Sequence, residues 1–239
     1  MNVKVVATYK DVAERELRDR IVVVIDLLRA STTIVQAIEN GAQSVIPVDT
    51  LDAAANIKRN RGEDTLLACE REAKKVEGCD LGNSPQEFTT FRVRRKVIAL
   101  STTNGSRAIQ RVKGNSVVMV GALRNRKRLC AFLLEQKFDI ALLCAGTDGD
   151  VSADDLYCAG AIISCLRETL ENRELEIDDL GYMAEIFYNN AKADPSLLTG
   201  IKHYRRLQEL GLQKDIDFCF SEDKSDALPV LVDGIYLVD

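Results

Sequence analysis

The sequence predicts an α/β protein with three layers, α/β/α, built on a mostly parallel or mixed sheet. Three places carry that expectation, because in each an apolar strand runs into a short polar loop that opens a helix. They are Ile21–Ile25 into Asp26–Thr33, Val97–Leu100 into Ser101–Gly105, and Ile140–Cys144 into Ala145–Gly149. Strand and helix patterns alternate with short connections, as βαβ units do. At 239 residues and 46% hydrophobic, the chain can bury a substantial single core.

Period-2 and short continuous apolar runs predict strands near 2–8, 21–26, 43–48, 65–69, 96–101, 116–120 and 139–144. A first helix over Thr32–Asn40 stops at Gly41, a natural position for a residue just past a helix end. The next, Leu51–Arg61, has Thr50 as its cap, Asp52 in its first turn and Gly62 as its stop. Ser106–Val112 ends near Gly114, and Leu123–Gln136 sets Leu129, Phe132 and Leu133 at helical spacing. Ser152-Ala-Asp-Asp155 fits a capping box, followed by an apolar stripe from Leu156 to Leu170.

Beyond residue 171 the character changes. Glu171–Asp179 is strongly charged, and helices near 178–192 and 195–210 follow with no strand between them. Asp194-Pro195-Ser196 reads as a helix start with proline in its first position. Asp215–Phe220 and Ala227–Asp239 read as extended. The whole of 1–239 is expected to be a single domain, with 171–212 a helical excursion that returns to the sheet.

Charge and composition narrow the partners. With 37 acidic and 32 basic residues the net charge is −5, so no overall positive field draws nucleic acid or an anionic membrane. No apolar run is long enough to span a bilayer, and Met1–Lys10 lacks the apolar centre of a signal peptide. Seven cysteines without metal-finger spacing are expected to be free thiols in a reducing cytoplasm. The lone histidine, His203, falls in a polar helical stretch distant in sequence from the loops, so a structural role is expected of it.

The strand-end loops hold the chemistry. Ligands of such sheets bind at carboxyl strand ends, where helix N-termini offer N–H groups to anions. Asp26 ends a strand of branched aliphatics, which projects a carboxylate from rigid backbone as a nucleophile or metal ligand. Arg29 offers a fork to anionic oxygens, while Ser31, Thr32 and Thr33 add hydroxyls, at least one of them a helix cap. Glu70-Arg71 repeats the acid-plus-arginine design, and Asn83 and Ser84 are short donors in a Gly/Pro turn. Thr102-Thr103-Asn104-Gly105 lets backbone approach an anion, and Thr147 adds a donor.

No Walker ending and no Gly-x-Gly-x-x-Gly is present, so nucleotide readings are poor. Asp155 sits in a first helical turn, where capping is the expected role and metal coordination the lesser one. Carboxylates from Asp26, Glu70, Asp80 and Asp154 or Asp155 cannot share a pocket with a phosphate dianion unless a cation joins them. Two like charges at ~4 Å repel by about 4 kcal/mol at intermediate dielectric, and Mg²⁺ resolves this.

These motifs, in this order, resemble the 2-phosphosulfolactate phosphatases, the ComB-type enzymes of coenzyme M biosynthesis. The resemblance rests on Asp26-Leu-Leu-Arg-Ala-Ser-Thr-Thr33 with Ala37 and Gly41, on Glu70-Arg71, and on Asp80–Pro85. It continues in Thr102–Gly105, Cys144–Thr147, Ser152–Asp155 and Cys158–Ala161, about two-thirds of the chain. Two positions depart: Cys69-Glu-Arg-Glu72 stands where Gly-Glu-Arg-Gly is expected, and Gly78-Cys-Asp80 where Gly-Phe-Asp is expected.

The resemblance implies a ComB-like α/β fold and Mg²⁺-dependent hydrolysis of (2R)-2-phospho-3-sulfolactate to 3-sulfolactate and phosphate. It implies Asp26 and Glu70 as metal ligands with Asp155 or Asp80 assisting. The triply anionic substrate would be held by Arg29, Arg71, Asn83, Ser84, the Thr102–Gly105 turn and Thr147. A cytoplasmic homodimer is the expected state. The lack of an Asp-x-Asp pair after the first strand favours water over Asp26 as nucleophile. The residues alone leave open a phosphatase of another phosphorylated 2-hydroxy acid, or a non-catalytic anion-binding module.

Overall fold

The computed structural model describes every residue except 14–16, 116, 171–174 and 239, and for 237 and 238 the backbone alone. The fold is α/β, with an 11-stranded mixed sheet in the order β5-β4-β6-β3-β11-β10-β7-β2-β8-β1-β9. In chain order the strands are β1 Asn2–Val6, β2 Arg20–Ile25, β3 Ser44–Pro47, β4 Thr65–Arg71, β5 Lys74–Lys75 and β6 Val97–Ser101. They continue as β7 Val117–Gly121, β8 Asp139–Cys144, β9 Glu176–Ile177, β10 Pro229–Val232 and β11 Ile235–Val238. The seven strands read from apolar runs are all present, although the first residue of 116–120 lies outside the described residues.

β2 is a run of branched aliphatics because both its faces are covered. Val23 and Ile25 join Leu142, Ile162 and Ile163 in one core, while Val22 and Val24 join Ile34, Ile38, Ile109 and Leu143 in another. Successive side chains of a strand point to opposite faces, so each strand feeds both cores.

The helices are α1 Ala30–Glu39, α2 Leu51–Arg61, α3 Thr90–Val93, α4 Gly105–Val112, α5 Arg126–Gln136, α6 Ala153–Thr169, α7 Asp179–Ala193, α8 Lys202–Glu209 and α9 Gln213–Cys219. The Thr50 hydroxyl caps α2 by accepting from the Ala53 N–H at 3.1 Å, as its position predicts. α1 and α4 lie between two parallel blocks, β7-β2-β8-β1 and β4-β6-β3, which the antiparallel β10–β11 hairpin joins. Among the described residues only Val230↔Met119 and Tyr236↔Val45 pair the hairpin with its neighbours, so the sheet splays there.

That splay sets up the site. Pairing runs antiparallel three times between β7 and β3, so the two blocks have opposite senses along the ladder. Yet β4 is six steps from β2, and a twist of about 20–25° per step turns it most of the way round. α4 packs against both β2 and β3, although they are four places apart and a flat sheet would separate them by about 19 Å. The sheet therefore curls around α1 and α4, and the carboxyl ends of both blocks meet.

Three local expectations need correction. Asp215–Phe220 lies in helix α9 and its C-cap instead of a strand, because Ile216 and Cys219 bury one helical face and Asp215 suits a first turn. Residues 195–210 split into a 3₁₀ turn over Pro195–Gly200 and helix α8, with Ile201 extended between them. Ser152 makes no capping bond to the backbone; its hydroxyl donates to Asp154 Oδ1, and Asp155 reaches away from the helix end. The 171–174 part of the charged segment lies outside the described residues. Of the C-terminal piece expected to be extended, Pro229–Val232 and Ile235–Val238 are strands of the sheet, and residue 239 lies outside the described residues. All seven cysteines are free, five of them buried.

Candidate active site

A cavity of about 240 Å³ opens where the strand ends converge. β2 and its loop supply Asp26, Leu28 and Arg29, and β4 supplies Glu70, with Glu72 and Ala73 just beyond it. The turn after β5 supplies Asn83, the β6 loop Thr103 and Asn104, the β8 loop Thr147 and Asp148, and α8 Lys202, His203 and Arg206.

Asp26 is 9% exposed, and its Oδ1 accepts from the Ala30 N–H at 3.2 Å. Burial pushes its carboxyl up to about 6, against the nearby His203 and the Ala30 N–H, which lower it; Asp154 and Glu70 add to the rise. Glu70 accepts from the Ala73 N–H at 2.7 Å, the Thr103 N–H at 3.2 Å and the Thr103 hydroxyl at 3.3 Å. Those bonds tie the β4 end to the β6 loop. Asn104 accepts the Asp148 N–H at 3.1 Å, which ties the β6 loop to the β8 loop.

Two glycines make this convergence possible. A Cβ on Gly105 would stand 2.6 Å from both Asp26 Oδ2 and the Ala30 methyl, so only glycine lets α4 start against α1. Gly146 turns the β8 loop at φ +72°, where a Cβ would meet the Asp150 carbonyl at 2.4 Å.

The remaining residues read from sequence take places behind the cavity. Ser31 and Thr32 donate to the Asp26 and Leu27 carbonyls, and Thr33 donates to the Asn83 carbonyl, so these hydroxyls stitch loops together. Thr102 exchanges hydrogen bonds with Ser106 at the start of α4. Arg71 turns to the Glu70 and Ser101 carbonyls and the Ser101 hydroxyl. The Ser84 hydroxyl donates to Asp215. Asp80 pairs with Lys58 at 2.8 Å and accepts the Leu67 N–H, away from the cavity. Asp155 is 2% exposed and accepts the Leu27 and Gly146 N–H groups at 2.9 Å each.

The helical pattern of α8 was legible in the sequence, but its place in the site was not. His203 lies on the cavity wall, with Nδ1 3.2 Å from the Thr147 hydroxyl, so its sequence distance from the loops misled. The available signal was Lys202, His203 and Arg206 within two helical turns, a cationic cluster among acidic loops. Asp215, which engages Arg29 at 2.6 Å, was hidden inside the misread strand.

Among the described residues, no three His, Cys, Asp or Glu side chains are grouped to hold a metal ion. Four acids line the cavity, Asp26, Glu70, Glu72 and Asp148, amid amide and hydroxyl oxygens, and of these only Asp26 and Glu70 are buried. An all-oxygen set with two carboxylates suits a hard cation that keeps water and takes ligand oxygens to complete its shell.

Fold and site together define an α/β protein of the enzyme type, with a small, densely charged cavity at strand ends. The sequence model of the 2-phosphosulpholactate phosphatase family matches residues 6–234, and the chain belongs to that family. A protein of Clostridium novyi described as a probable 2-phosphosulfolactate phosphatase is 37% identical over 96% of both chains. One of Caldanaerobacter subterraneus with the same description is 39% identical over 95% of this chain and 94% of its own. A Thermotoga petrophila protein, so described, is 37% identical over 92% of each.

Proposed function

We propose that the protein hydrolyses the phosphomonoester 2-phospho-3-sulfolactate to 3-sulfolactate and phosphate, with Mg²⁺ as cofactor. The observation that carries this reading is that Asp26 and Glu70, from strands six places apart, line one small cavity with Arg29, Lys202, His203 and Arg206. The description shared by the relatives supplies the substrate. At about 240 Å³ the cavity is smaller than the roughly 300–1,000 Å³ of drug-sized sites, which suits a three-carbon acid better than a nucleotide.

Asp26 and Glu70 would hold the ion, which when bound offsets negative charge on the phosphoryl group and makes water a stronger nucleophile. Asp26 is oriented for this by the Ala30 N–H and Glu70 by the Thr103 N–H. His203 uses Nδ1 on Thr147, and its Nε2 makes no hydrogen bond among the described residues, so it can exchange a proton with the ester oxygen. The buried free thiols suit a reducing cytoplasm.

Phosphate release from 2-phospho-3-sulfolactate, with Mg²⁺ and after EDTA treatment, tests the reading. Release should require the metal and fall at least about a hundredfold in Asp26→Asn. Metal-loaded protein that binds the ester without releasing phosphate would overturn it.

A further inference from the structure

We propose that Lys202 and Arg206 form the specificity subsite for the non-phosphate anionic end of the substrate, a carboxylate or sulfonate group. The inference rests on the phosphatase reading above and assigns the other end of the same ligand. Sequence logic gave that task to Arg29 and Arg71, but both are engaged elsewhere. Arg29 places Nη1 on Asp215 Oδ2 at 2.6 Å and Nη2 on the Ala73 carbonyl at 2.7 Å. Arg71 bonds backbone and Ser101, and it does not line the cavity.

Lys202 and Arg206 differ. Both line the cavity and are exposed, and neither makes an ion pair or hydrogen bond among the described residues. They are four residues apart on α8, so they are neighbours on one helical face. The first turn of α8 has no acid, and Ile201 at the N-cap gives no side-chain bond. Lys202 therefore adds its charge to the partly positive helix end instead of opposing it. Two unpaired cations beside an uncapped helix end repel one another until an anion joins them.

A second feature of the cavity points to a ligand independently. Asn83, on the cavity wall, is 5% exposed, yet its amide oxygen has no partner among the described residues. A buried acceptor left unpaired costs about 1–3 kcal/mol, which a bound hydroxyl or water would recover. Within a cavity that Glu72 and Asp148 also line, the buried Asp26 and Glu70 carboxylates, held by N–H groups, are assigned the phosphate end, and the unpaired cations of α8 the acid end. Arg206 brings a planar fork matched to two oxygens of one group, and Lys202 a point charge. The His203–Thr147 contact holds α8 against the β8 loop and so fixes the distance between the two ends.

The test compares kcat and KM of wild type, K202Q, R206Q and R206K on 2-phospho-3-sulfolactate, 2-phospholactate and p-nitrophenyl phosphate. R206Q and K202Q should raise KM for 2-phospho-3-sulfolactate about tenfold or more, with kcat falling less than threefold. The ratio of kcat/KM for that ester over p-nitrophenyl phosphate should fall about tenfold, and R206K should recover part of it. If 2-phospholactate shows the same rise in KM, the group held is the carboxylate; if it shows none, the sulfonate. Equal losses on all three esters, or no change on any, overturn the subsite. Should wild type hydrolyse none of them, the phosphatase reading fails separately, and calorimetric binding of 3-sulfolactate decides: weaker binding to R206Q supports the subsite and equal binding sinks it.

Discussion

Asp215 closes on Arg29 at 2.6 Å from 186 residues away, and both side chains are only 4% exposed. The other Asp215 oxygen accepts the Ser84 hydroxyl at 2.6 Å, so one carboxylate joins the β2 loop, the turn at 82–85 and helix α9. Removing one partner of a buried pair leaves an uncompensated charge, which costs about 3–5 kcal/mol. Asp215→Ala should lower the unfolding free energy by that much, read as a lower urea midpoint at unchanged m-value. The double variant Arg29→Met with Asp215→Leu, apolar at both positions, should recover much of the stability but not the activity. A loss below about 1 kcal/mol in the single variant would mean the pair does not organise the loops.

Asp155 makes a comparable tie between strand ends. Its two oxygens take the Leu27 and Gly146 N–H groups, one after β2 and one after β8, which sets Asp26 and Thr147 at a fixed separation. Burial, then Asp154 and Asp26, push its carboxyl well above the ordinary range, against those two N–H groups. Asp155→Ala strands two buried donors, at about 1–3 kcal/mol each. Hydrogen exchange at Leu27 and Gly146 should speed up, and kcat should fall more than KM rises. Unchanged protection at both amides would show that other contacts hold the strand ends together.

Gly105→Ala probes how closely α4 approaches α1. The added methyl would meet Asp26 Oδ2 and the Ala30 methyl at 2.6 Å; the Ala30 methyl yields only if the start of α1 moves, and the Asp26 carboxylate only by swinging aside. The change should cost about 1–3 kcal/mol and lower Mg²⁺ affinity, because the methyl displaces the carboxylate proposed to hold the ion. Thermal unfolding and Mg²⁺ titration check it; wild-type values for both would mean that α4 shifts freely.

The strands and most helices were legible because alternation, continuous apolar runs and caps such as Thr50 are local signals. The site was legible where one loop carried its own chemistry, as at Asp26, Glu70 and Thr103-Asn104. What stayed hidden depended on distant partners. Ser31, Thr32 and Thr33 look like anion donors in sequence, yet each hydroxyl is taken by a carbonyl of the folded loops. Arg29 looks free until α9 brings Asp215 to it, and the alternating Asp215-Ile-Asp-Phe-Cys-Phe220 satisfies strand and helix patterns alike. His203 and its cationic neighbours reach the cavity only because α8 folds back across the strand ends. The opposed senses of the two parallel blocks come from the β10–β11 hairpin, whose insertion between β3 and β7 has no local signature.

Asp26 also ties stability to pH, with a definite sign. Its carboxyl, ordinarily near 3.8, is pushed up to about 6 by burial in the folded protein. Between those values the folded chain holds a proton that the unfolded chain has released. The stabilisation is fully present below about 3.8 and is lost as pH rises through about 6. The gap corresponds to about 3 kcal/mol, less what local rearrangement recovers. Asp26→Asn is neutral throughout, so in EDTA it should gain on wild type by about 2 kcal/mol between roughly pH 4.5 and pH 7.5. Mg²⁺ should reverse the order at the higher pH, because binding to the folded state stabilises wild type in proportion to RT ln(1 + [Mg²⁺]/Kd) and the variant has lost a ligand. Urea unfolding at both pH values, with and without metal, measures both effects. A stability difference between the two proteins that stays constant with pH would mean that Asp26 is ionised in the fold down to its ordinary range, and the charge balance argued for the cavity would fail with it.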